Sequence, residues 1–236
     1  MIEIRNISKK FGKLQVLDDL QLQLDRGECI ALIGPNGCGK TTLIKIILGM
    51  VMPDSGDIWF DGRSIRKDID YRKHIGYMPQ IGRYPENMTI GQVIDMIRHI
   101  RKSDAGRIDD SLYRDYEIEA FLHKKMRTLS GGTTQKISAT LAFLFDPEVL
   151  ILDEPTAGLD PLAAEILKDK IIKARGEGKL ILITSHLLSE LDDLVTQIVF
   201  MQEGRLVLHK DKASLQALTG QSSIARSIVH LLKSGV

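Results

Sequence analysis

Gly34-Pro35-Asn36-Gly37-Cys38-Gly39-Lys40-Thr41 fits the pattern G-x-x-x-x-G-K-[ST], and its neighbours say how the stretch is held. The apolar run Cys29 to Ile33 before it reads as a buried strand, while Leu43, Ile46, Ile47 and Met50 behind it read as one side of a helix. A loop between a strand and a helix N-terminus aims successive backbone N–H groups, and the positive end of the helix dipole, at an anion. Its glycines let the main chain approach phosphate oxygens with no Cβ in the way. Lys40 reaches the β- and γ-phosphates, Thr41 offers a hydroxyl to Mg²⁺, and Thr42 completes the cradle. Cys38 lies inside the loop, so modification of its thiol is expected to block nucleotide. The stretch is a nucleotide-binding site in an α/β domain. Alone, it leaves kinases, GTPases and motor ATPases open.

A second stretch narrows the choice. Val149-Leu150-Ile151-Leu152-Asp153-Glu154 is an apolar strand that ends in two carboxylates. At such an end Asp153 can face Mg²⁺, directly or through water. Glu154, pointing differently, can polarise a water for attack on the γ-phosphate.

Around these two stretches strands and helices alternate. Ile2, Ile4 and Ile7 open a strand, Leu20, Leu22 and Leu24 repeat with period two, and Asp61-Gly62 after Ile58-Trp59-Phe60 marks a hairpin. From about Pro85 to Phe145 strand signals give way to helical spacing at Val93, Ile94, Ile97 and Ile100, with Arg98 to Asp110 as a polar linker. After Pro147 the order is strand Val149–Leu152, helix Leu162–Ala174, strand Leu180–Thr184, helix Leu187–Leu194 and strand Gln197–Met201. That alternation implies a parallel sheet with right-handed crossovers. In the tail from Lys210, Ile224, Ile228, Leu231 and Leu232 take helical spacing, suited to packing against the domain or to a subunit contact.

Composition sets the outer limits. The chain has 236 residues, 43% hydrophobic and 27% charged, which is globular rather than disordered. A net charge of +1 gives no broad footprint for nucleic acid, and none is expected as a partner. Two cysteines make no disulfide framework and point to a reducing compartment. The apolar runs are strand-length, far short of the about 20 residues that a spanning helix needs. Met1-Ile2-Glu3-Ile4-Arg5 lacks the apolar stretch of a signal peptide, so a cytoplasmic protein is expected.

Leu129-Ser130-Gly131-Gly132-Thr133-Thr134-Gln135 resembles the signature motif of ABC-type ATPases, and the other motifs follow in the same order. The resemblance covers Met1 to about His209. It implies a P-loop NTPase core with a parallel sheet, an N-terminal antiparallel β-subdomain, a helical subdomain at about 85–145 and a short helical tail at 210–236. It places Phe11 against adenine and matches Gln80, in Tyr77-Met78-Pro79-Gln80, to the glutamine at the edge between core and helical subdomain. Ala157-Gly158-Leu159-Asp160 resembles the D-loop, with Asp160 counted in the nucleotide site, and His186 resembles the switch histidine. Ser130, Gly131 and Gly132 again offer close backbone at a helix start, a second phosphate-binding surface. The family uses that surface across a head-to-tail dimer, in which each signature caps the partner's ATP. The implied cofactors are ATP and Mg²⁺, the metal held by Thr41, Gln80 and Asp153. Lys40, Gln80, Glu154 and His186 carry catalysis.

Two departures stand out. Thr133 occupies the place of the usual signature glutamine, and the adenine aromatic is Phe rather than Tyr, which keeps its stacking face. The implied partners are an integral membrane permease subunit, docked at the helical subdomain, and a second copy of the chain, on the cytoplasmic face of the inner membrane. Met78 to Asn87, Gly131 to Lys136 and Ala142 to Pro147 further resemble the Nos-type ATPases, which serve copper-site maturation of nitrous oxide reductase and would add a periplasmic maturation protein. Exporters of drugs or lipids and iron–sulfur cluster assembly ATPases are the alternatives.

Overall fold

The computed structural model describes residues 1–66, 68–101 and 108–234. Strands β1 (Ile2–Phe11), β2 (Leu14–Leu24) and β3 (Cys29–Ile33) lead into helix α1 (Lys40–Ile47). Strands β4 (Ser55–Phe60), β5 (Arg63–Ser64) and β6 (Ile75–Met78) precede helices α2 (Ile90–Ile100), α3 (Ser111–Asp115) and α4 (Gly131–Phe143). Then come β7 (Val149–Asp153), α5 (Pro161–Gly176), β8 (Leu180–Thr184), β9 (Gln197–Gln202) and β10 (Arg205–Asp211), and last α6 (Lys212–Thr219) and α7 (Ile224–Ser234).

The chain divides into two compact units, residues 1–72 with 180–236, and residues 73–179. In the first unit an antiparallel sheet of order β2-β1-β4-β5 is built on alternation. Ile2, Ile4 and Ile7 pair with Leu24, Leu22 and Leu20, and all six are buried on one face. Asp61 and Gly62, at φ 45° and 76°, make the two-residue left-handed turn of the β4–β5 hairpin. Strand β3 runs parallel to both β8 and β9, and β10 returns antiparallel along β9. Every residue of β3 and β8 is buried, hence their unbroken apolar sequences.

The second unit holds the parallel pair β6–β7 and helices α2 to α5. Thr89 and Gln92 form a capping box that starts α2, and its Val93 and Ile94 are buried. Among the helices, Lys170 of α5 donates to Asp109, and the pair is nearly buried, at 8% and 15% side-chain exposure. Burial alone would raise the Asp109 carboxyl, but hydrogen bonds from Lys170 and Ser111 outweigh it and hold it down at about 2. That stability is complete above the ordinary carboxylate value of about 3.9 and is lost as pH falls toward the folded value. Asp109→Asn strands the Lys170 ammonium and is expected to cost about 3 kcal/mol in urea unfolding at neutral pH. An unchanged midpoint there would refute the pair's contribution.

Three sequence expectations need correction. Met50 is 64% exposed and outside α1. The helix ends first: Gly49, at φ 65°, sends its N–H to Ile46 and the Met50 N–H turns back to the Lys45 carbonyl. Leu187 to Leu194 is not a helix but a short 3₁₀ turn at Leu188–Glu190. Ser185 Oγ accepts the Leu187 N–H at 2.9 Å, and Leu187 itself has non-helical dihedrals, so the local side chain wins over the leucine spacing. Helix α2 runs through Arg98 to Ile100, so the linker starts later than expected, and its residues 102–107 lie outside the described ones. Strand β10 was not anticipated and runs on to Asp211.

In the tail, Ile224 and Ile228 are buried, in keeping with packing against the domain. Asp192 accepts the Ile224 N–H on its carboxylate at 3.0 Å, and its main-chain carbonyl takes a hydrogen bond from Lys212.

Candidate functional site

The first unit carries the candidate phosphate loop. Residues 34–39 join β3 to α1, and Gly39 stands at the helix N-cap with φ 106°. A Cβ there would lie 2.7 Å from the Val16 carbonyl, so the close turn into α1 admits only glycine. The Lys40 ammonium donates to the carbonyls of Gly34 at 2.6 Å and Pro35 at 3.1 Å, which places the charge within the loop. Pro35, Asn36, Gly37 and Thr41 are exposed, with Thr42 half-buried. Cys38 is buried, its Sγ 3.9 Å from Lys40 Nζ, so a reagent reaches the thiol only if the loop opens. Phe11, the last residue of β1, is 52% exposed and has Lys9 Nζ 5.4 Å from its ring centroid. A flat ring so exposed offers a stacking face. His186 lies two residues beyond β8 and is exposed.

The second unit carries the acidic strand end and the signature. Asp153 closes β7 at 9% exposure, and Glu154 follows at 8%. Glu154 has φ 53°, the left-handed region that a non-glycine residue rarely occupies, and its carbonyl accepts the Ala157 N–H at 3.1 Å. Such dihedrals persist where surrounding structure holds them, which is common where chemistry is done. Gln80 stands exposed just past β6.

Ser130 is the N-cap of α4. Its Oγ accepts the Thr133 N–H at 3.2 Å and lies 2.9 Å from Thr133 Oγ1. The residue that departs from the usual signature thus helps to fix the serine hydroxyl. Asp160 caps α5 through the Ala163 N–H at 2.9 Å and pairs with Lys136 at 2.8 Å. The Lys136 ammonium, with help from the Ala163 N–H, holds the Asp160 carboxyl below its usual range. A Cβ on Gly132 would come within 2.7 Å of the Gly158 carbonyl.

Within this unit the structure therefore brings Ser130, Gly131, Gly132, Glu154 and Asp160 into one neighbourhood. The sequence reading missed the roles of Thr133, Gln135 and Lys136 there. A signal was available: Gly132, Gln135 and Lys136 are spaced i, i+3, i+4 and share one face of α4.

The ABC transporter family model matches residues 17–157. The Nod factor export ATP-binding protein I of Burkholderia lata is 33% identical over 210 residues, 87% of this chain and 69% of that protein. The phospholipid-transporting ATPase ABCA3 of Homo sapiens is 36% identical over 209 residues; these cover 86% of this chain but only 12% of that protein. A structure described as the ATP binding subunit of an ABC transporter superposes with a TM-score of 0.90 at 28% identity, covering 98% of this chain and 99% of the other. The chain belongs to the ABC transporter family. Its place there is among the ATP-binding ATPase subunits.

Proposed function

We propose that the chain binds ATP with Mg²⁺ and hydrolyses it as one half of a head-to-tail pair, energising a separate membrane subunit. Glu154 carries this reading: a buried carboxylate at the end of an apolar strand, in a dihedral region that the fold must hold in place. Phe11 stacks on adenine, and residues 34–42 hold the phosphates. Glu154 takes the proton of the attacking water, His186 supports the γ-phosphate, and Ser130 to Gly132 cap the partner's ATP. Hydrolysis separates the two chains again.

Thr41, Gln80 and Asp153 are the residues that would hold Mg²⁺. They supply oxygen donors with a single carboxylate, a set that suits a hard cation retaining several waters. When bound, the metal neutralises developing phosphate charge.

Among the described residues no helix is long and apolar enough to cross a membrane. The pore in this reading is a permease polypeptide docked on the helical segment of about 85–145, with the pair of chains on the cytoplasmic face of the inner membrane. Met78 to Asn87, Gly131 to Lys136 and Ala142 to Pro147 favour a Nos-type system, with a periplasmic maturation protein reached through the permease. The copper link would then belong to the system's maturation partner rather than to this chain. Cys29 and Cys38 are both buried, and no cluster of metal-ligating side chains is found among the described residues.

The test is a mild-detergent pull-down of tagged Glu154→Gln protein with MgATP, read by mass spectrometry. A multi-spanning membrane protein together with a periplasmic copper-maturation partner is expected. A different pore would leave transport and discard copper, in favour of an exporter of drugs or lipids. Soluble iron–sulfur scaffold proteins without a membrane subunit would overturn the transporter reading.

A further inference from the structure

Gln135 is 5% exposed, and its amide Nε2 donates to the main-chain carbonyl of Glu154 at 3.3 Å. The next residue, Lys136, pairs with Asp160, and Gly132, about one turn earlier, lies so close to Gly158 that a methyl group would not fit. Three residues on one face of α4 thus touch the start, middle and end of the segment 154–160. The same helix begins at Ser130, whose hydroxyl is fixed by Thr133.

From these contacts we infer that Gln135 is a positioning residue for Glu154, and that Lys136 does the same for Asp160. This rests on the ATPase reading above and deepens it. The Glu154 peptide sits at φ 53°, in a region that a non-glycine residue rarely occupies. A buried amide on its carbonyl opposes relaxation of that peptide and so fixes where the carboxylate points. The Lys136–Asp160 pair is partly exposed, at 26% and 53%, and adds little to global stability. Its effect is geometric: the signature turn and the segment with the general base are fastened to one helix. Displacement of the signature by a partner chain's nucleotide is thereby passed to Glu154 of its own chain.

The test uses the full chain. Gln135→Met keeps length and flexibility and removes the donor. It is expected to lower kcat at least about tenfold, with ATP affinity and thermal midpoint close to the parent's. Backbone amides of 154–160 should exchange with deuterium faster. Lys136→Met should lower kcat in the same way, and Lys136→Arg should restore most of it, which keeps the test open if Gln135→Met fails to fold. A Gln135→Met kcat within about twofold of the parent, or a fall matched by an equal loss of ATP affinity, would overturn the assignment. Arginine no better than methionine at 136 would overturn its second half. A parent chain with no turnover fails the ATPase reading instead. Hydrogen exchange then decides the positioning: faster in Gln135→Met upholds it, and unchanged exchange at 154–160 rejects it.

Discussion

Glu154→Gln is expected to leave ATP bound and to cut turnover on the order of a hundredfold or more, the loss that follows removal of a general base. Glutamine has the same length and can hold the same main-chain dihedrals and the same contact from Gln135, so the pocket keeps its shape. What disappears is the proton acceptor. The variant should therefore show a nearly normal ATP dissociation constant and, with MgATP, should accumulate as a closed pair in size-exclusion chromatography. Single-turnover measurements with labelled ATP separate the chemical step from product release. Turnover near that of the parent would reject Glu154 as the base.

Lys40→Ala is the complementary case, with the loss in binding rather than in chemistry. The ammonium lies within the loop, 2.6 and 3.1 Å from the carbonyls of Gly34 and Pro35, where a phosphate oxygen of bound ATP would accept from its one remaining N–H. A hydrogen bond to a charged group contributes about 1.5–3 kcal/mol, so the one lost contact corresponds to roughly tenfold to a hundredfold in affinity. Tight ATP binding should vanish in an equilibrium titration with a fluorescent ATP analogue. Unchanged affinity would remove Lys40 from the phosphate site.

Much of this was legible in the residues because the physics is local. Strands β3, β7 and β8 are buried on both faces, so each is a plain apolar run with sharp ends. The phosphate loop is legible for a similar reason, since a strand, a run of glycines and a helix start must be consecutive for the cradle to form. Leu187 to Leu194 failed because its leucines have helical spacing while Ser185 Oγ takes the Leu187 N–H and the Asp192 carboxylate turns to Ile224. Met50 failed because the Gly49 turn ends α1 sooner than the hydrophobic pattern does. The contacts of Gln135, Lys136 and Gly132 are of another kind: helical spacing puts the three on one face of α4, but their partners lie 19 to 26 positions further on, and no single-segment pattern names those.

The bonds that Asp192 makes to Ile224 and Lys212 bear on how the protein can be cut and fused. They tie the last two helices to the stretch that follows His186, and Ile224 and Ile228 fill apolar space in the same unit. A version shortened after Thr219 would open a hydrophobic hole and lose the Ile224 bond, leaving Asp192 only its bond from Lys212. The C-terminal helices are a brace for the stretch that follows His186, so engineered truncations belong elsewhere.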